Sequence, residues 1–112
     1  MIPANLHPLA VVGPAEHASG PLAGYCRTTY KILVATLGLP HNHDIDGKVN
    51  VEWAFKCADG TTFHVYDWRE PNIPSEEYWW HIGGNSASSL KAFSRHTGLP
   101  VTRDRFALNT LS

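Results

Sequence analysis

The chain has 112 residues, nine Lys and Arg against ten Asp and Glu, and a net charge of −1. That length holds one domain with a real core, but it is small for an enzyme with a deep, lidded pocket. With no basic excess to track phosphates, direct nucleic-acid binding is not expected.

Residues 1–24 carry Pro3, Pro8, Pro14 and Pro21 together with Gly13, Gly20 and Gly24. This density of breakers predicts an irregular arm, with a domain over residues 25–112. Leu6, Leu9, Val11 and Val12 are apolar enough for the arm to dock. Tyr30, Leu33, Val34 and Leu37 stand at i, i+3, i+4 and i+7, one face of an amphipathic helix. Gly38 supplies its stop, Pro40 lies just beyond, and Cys26 falls near its start. A loop rich in His, Asn and Asp covers residues 40–47.

Lys48 to Cys57 alternates strictly, with Val49, Val51, Trp53, Phe55 and Cys57 on one face. Asp59-Gly60 punctuates a hairpin, and a second strand-like run follows from Thr61 to Trp68. A two-residue loop would pair Phe55 with His64 and mix apolar with polar residues. A three-residue loop, Ala58-Asp59-Gly60, pairs Phe55 with Phe63 and Trp53 with Val65, so the hydrophobic pattern selects it. His64, Tyr66 and Trp68 then share a face with Asn50 and Glu52.

Pro71, Pro74, Glu70, Glu76 and Glu77 mark a solvated connection. Tyr78-Trp79-Trp80-His81-Ile82 reads as a third strand, with Tyr78 and Trp80 on one face and Trp79 on the other. Gly83-Gly84 should break it. Asn85 or Ser86 then caps a helix to about Thr97, turning Ala87, Leu90 and Phe93 inward before Gly98-Leu99-Pro100. A short strand at Val101–Phe106 would complete the chain. The expected fold is α+β in two layers, ordered α-β-β-β-α: a three-stranded antiparallel sheet, two helices and the irregular arm.

Cys26 and Cys57 make no disulfide framework and read as buried thiols. No window approaches a membrane span, and the Leu9–Val12 run is too short for a signal peptide. His41 and His43 could face one centre, but no further ligand pair stands at a zinc spacing, so no metal or other cofactor is expected. His64 and His81 lie on neighbouring strands, yet nothing near them forms a nucleophile, base and orienter, and no catalytic residues are assigned.

Two constellations remain. Gly83, Gly84 and Ser86 join strand to helix, where open amides could make an anion or partner-backbone nest. Trp53, Trp68, Trp79 and Trp80 with Tyr66 and Tyr78 crowd into 28 residues, so both sheet faces acquire Trp. One face is core. The other is expected to be either a contact surface or a layer covered by the arm. As a contact surface it presents His64, Tyr66, Trp68 and Trp79, rimmed by Glu52 and Asp67.

Val49-Asn50-Val51-Glu52-Trp53, then Asp59-Gly60-Thr61, Tyr66-Asp67-Trp68 and Trp80-His81-Ile82-Gly83-Gly84 resemble a group of small proteins of tailed bacteriophages. There, a "VEW…DGT…YDW…WHIGG" pattern recurs after a short helix. The resemblance spans about residues 30–96. Its most specific piece is Trp80 to Gly84, the hairpin portion being generic, and the arm is a departure. The family carries no established activity. What the resemblance implies is a viral origin, a place in the host bacterial cytoplasm, and the habit of small phage proteins of inhibiting host enzymes or defence systems by occupying a surface.

The leading expectation is therefore a non-enzymatic binding protein that blocks a host protein, a counter-defence inhibitor of the anti-CRISPR type. An alternative is a sponge for an immune nucleotide, with bases stacked on Trp68 or Trp79 and phosphates at the glycine nest. A double-stranded RNA-binding module shares the α-β-β-β-α order but needs basic residues where Asn85 to Ser89 has none.

Overall fold

The computed structural model describes residues 6–16, 20–42, 47–84 and 87–104. Its core is the predicted hairpin, β3 (Glu52–Cys57) and β4 (Thr62–Tyr66), continued antiparallel by β5 (Tyr78–Gly84). Phe55 faces Phe63 and Trp53 faces Val65, as the alternation requires. Gly60 sits at φ +93° in the three-residue loop, where a side chain would be strained, and donates to Cys57 O at 3.0 Å.

The sheet has five strands, not three. One, β1 (Val11–Pro14), lies within the segment expected to be irregular and pairs with β3; the other, β2 (Leu22–Thr28), begins in that segment and pairs with β5. The order is β1-β3-β4-β5-β2, so one short stretch of chain supplies both edges. Edge strands tolerate Pro and Gly because one row of their backbone groups needs no partner. Cys26 accordingly lies in the middle of β2 rather than at a helix start, and the expected boundary at residue 24 falls inside that strand.

Helices α1 (Tyr30–Leu37) and α2 (Ala87–Thr97) cover one face of the sheet. Thr29 Oγ1 caps α1 by accepting from Ile32 N, and Gly38, at φ +86°, closes it by donating to Val34 O. Leu33, Leu37, Leu90 and Phe93 pack on Trp53, Phe63, Val65, Trp80 and Ile82. Trp53 and Trp80 are fully buried and meet edge to face at 5.9 Å. Their indole N–H groups donate to Gly38 O and Thr28 O, so neither buried donor is left bare. Ala87, expected inward, is exposed, and Ser89 is buried instead. The expected cap at Asn85 or Ser86 lies outside the described residues. Of the expected Val101–Phe106 strand, the described part makes one isolated bridge, Thr102 with Tyr25. No helix among the described residues is long and apolar enough to cross a membrane.

Burial pushes the Cys26 thiol from an ordinary value of 9.0 up to about 11. The thiol thus favours the folded state fully below pH 9, and this contribution is lost as pH rises toward 11, because the unfolded chain ionises first. We expect the unfolding free energy to fall by about 2 kcal/mol from this group between pH 8 and 10.5. Urea titrations of the parent and Cys26→Ala across that range would show it as a shallower decline in the variant. Equal slopes would mean the thiol contributes nothing.

Candidate functional site

The face of the sheet away from the helices is where the sequence leaves its spare aromatics. One row crosses four strands directly: Glu52 on β3, Tyr66 on β4, His81 on β5 and Tyr25 on β2. The next row holds Ala54, His64 and Gly83. Because both neighbours of His64 are small, its ring lies over Gly83, in the space an alanine Cβ would need.

The rings form a connected series. His64 stacks on Tyr66 at 5.0 Å and 17°, and Tyr66 meets His81 at 5.3 Å and Trp68 edge to face at 6.2 Å. Tyr25 closes on His81 at 5.1 Å. Burial, and next the proximity of Tyr25, raise the Tyr66 phenol above its ordinary value, so it stays a neutral donor.

The series is closed at one end and open at the other. His64 and Glu52 are 9% and 6% exposed, with His64 Nδ1 at 3.7 Å from Glu52 Oε2. The β1–β2 connection touches down here: Gly20 O lies 3.4 Å from His64 Nε2, and Ala15 N donates to Ala54 O. Trp68, by contrast, is 39% exposed. Its amide donates to Tyr78 Oη, and Arg69 lays its guanidinium 5.4 Å from the indole centroid. Arg69 itself adopts φ +54°, rare for a non-glycine residue, and donates to Lys48 O.

Of the expected contact residues, Glu52, His64, Tyr66 and Trp68 are brought together. Trp79 shares the face but stands against β2, under the Arg27 guanidinium at 5.9 Å, with Arg27 also paired to Glu77 at 3.3 Å. Asp67, expected on the rim, is instead completely buried. Its carboxylate accepts from Asn50 N, Val51 N and Asn50 Nδ2, tying the start of β3 to the end of β4.

The glycine pair differs from its expected role as well. Gly83 and Gly84 continue β5, and the Gly84 amide donates to Pro21 O at 3.0 Å, so it is not open to an anion. Ser86 lies outside the described residues. His41 uses Nδ1 to accept from Ala54 N and sets its ring edge-on to Phe55, while His43 lies outside the described residues.

Two members of the site escaped the sequence reading. Strand alternation with Trp79 was the available signal for His81. Tyr25 carried no signal once its segment was taken to lead into a helix. Chemically, the face offers stacking, a phenol donor and imidazoles beside one carboxylate. That equipment recognises a surface or a ring. Compared with protein-family models, curated proteins and solved structures, the chain matches none.

Proposed function

We propose that this protein is a binding module that engages a partner protein with the outer face of its sheet and performs no covalent chemistry. The observation that carries this reading is the ring series His64–Tyr66–Trp68, shielded at its inner end and open at Trp68, on a face the core does not use. Exposed Trp and Tyr held rigid by neighbouring rings are typical of binding hot spots. The finer reading, a phage inhibitor of a host defence complex acting in the bacterial cytoplasm, rests on the family resemblance. Less supports a nucleotide sponge, since the Gly84 amide of the phosphate half is already bonded. The described start of α2, Ala87-Ser88-Ser89, has none of the cations a double-stranded RNA-binding module uses.

Affinity capture from host lysates with the parent, Trp68→Ala and Tyr66→Ala tests the reading. A specific partner should be retained by the parent and bound more than about tenfold more weakly by each variant, a hot-spot-sized loss. Retention of that partner by both folded variants would move the interface elsewhere.

A further inference from the structure

Beside the β2 edge of the sheet, a groove of about 480 Å³ runs between α2 and the returning segment Val101–Arg103, whose Thr102 bridges to Tyr25. Leu90 and Val101 form its apolar floor. Lys91 and Arg95 stand on one wall and Arg103 on the other, and among the described residues no carboxylate lines it. Lys91 and Arg95 are four residues apart on one helix face, a spacing at which like charges repel. None of the three cations makes an ion pair with a described residue. The Ser94 hydroxyl is already donated to Leu99 O, which leaves the cations as the lining polar groups with no partner among the described residues.

We propose that this groove binds a small organic anion with an aliphatic body: the acid head between Lys91, Arg95 and Arg103, the chain along Leu90 and Val101. Three arguments converge. The groove's volume falls within the range of small-molecule sites, about 300–1,000 Å³. Its lining is mainly apolar with a few convergent charges, the usual division between affinity and orientation. The charges are of one sign, and two of them are held close by the helix, so an anion relieves a repulsion the free protein carries. Among the described residues the floor has no aromatic ring, so an alkyl chain fits its chemistry better than a base. The site is independent of the outer-face reading and survives its failure.

The probe is sodium octanoate, far below micelle formation, titrated into the ¹⁵N-labelled full chain. Acetate supplies the head alone and octanol the tail alone. Octanoate should shift the amides of Leu90, Lys91, Arg95 and Val101 to Arg103 saturably, with each partial probe at least tenfold weaker. The triple variant Lys91→Glu/Arg95→Glu/Arg103→Glu alters only exposed side chains and should keep the parent's spectrum elsewhere. It should bind octanoate at least tenfold more weakly. The proposal is overturned by the absence of saturable shifts, by acetate or octanol matching octanoate, or by undiminished binding in the triple variant. Stronger shifts of the same amides with hexaglutamate would also overturn it, in favour of an acidic polypeptide. So would contacts in the ligand-free chain between Val101 and Phe106 or Leu108, which would mean that the groove is filled from within.

Discussion

Asp67→Ala is expected to lower the unfolding free energy by about 3 kcal/mol or more, the largest effect of any single polar substitution in the described structure. The carboxylate is fully buried and accepts from two backbone amides and one side-chain amide at 2.7, 3.2 and 2.7 Å. Truncation leaves these donors without their acceptor where water enters poorly. Asn50→Ala is the useful comparison. It removes the Nδ2 donor and that group's second bond to Glu70 O, but leaves the two backbone bonds in place, so about 1 kcal/mol should suffice. Urea unfolding followed by Trp fluorescence would separate the two. A cost below about 1 kcal/mol for Asp67→Ala would mean that the start of β3 is held by other contacts. Binding to the partner should fall only with the folded fraction, because Asp67 cannot reach the surface.

Gly84→Ala should cost a similar amount, about 3 kcal/mol, for a different reason. Gly84 does not occupy the left-handed region, so its need is for space. An added Cβ would run into the Ser89 side chain and come within 2.9 Å of Thr62 O. Ser89 is buried on α2 and donates to that same carbonyl at 2.7 Å, so the helix would have to lift from β4. At Gly83 the nearest atoms to an added Cβ all belong to the His64 side chain, so Gly83→Ala would displace that ring rather than a helix and should cost less. The double variant Gly84→Ala/Ser89→Gly should be less destabilised than the sum of its parts, since removing the Ser89 side chain vacates the contested space. Strict additivity of the two changes, or a Gly84→Ala protein that melts like the parent, would show that the helix does not press on this strand.

What the sequence made legible follows from which signals are local. The hairpin register, the face assignment of Trp53, Phe55 and Phe63, and both helices were readable because each is set by periodicity within ten or so residues. Asp67 was readable too, though less plainly: the alternation that turns Val65 inward turns Asp67 inward with it, and its placement beside two outward aromatics hid that. The edge strands were not readable. Leu22–Thr28 contains Gly24 and follows Gly20-Pro21, and its strand conformation depends on β5, about 55 residues away. Gly83-Gly84 looks like a strand end because glycine weakens isolated strands. Here it continues one because His64 and Ser89 occupy the space its missing side chains leave.

The strand order also sets a timetable. β2 lies opposite β5, so Thr28 cannot pair until Tyr78 exists, and Leu22 not until Gly83. β1 has a shorter wait, for Phe55 to Cys57. At a synthesis rate of about 5–20 residues per second, the stretch carrying Tyr25 and Cys26 is made several seconds before its partner strand. The three-stranded meander can assemble from neighbours as it emerges, whereas β2, made before all three of its strands, is the last to be secured. The β2 edge of the sheet is therefore sealed late, by chain that has already waited beside a ribosome.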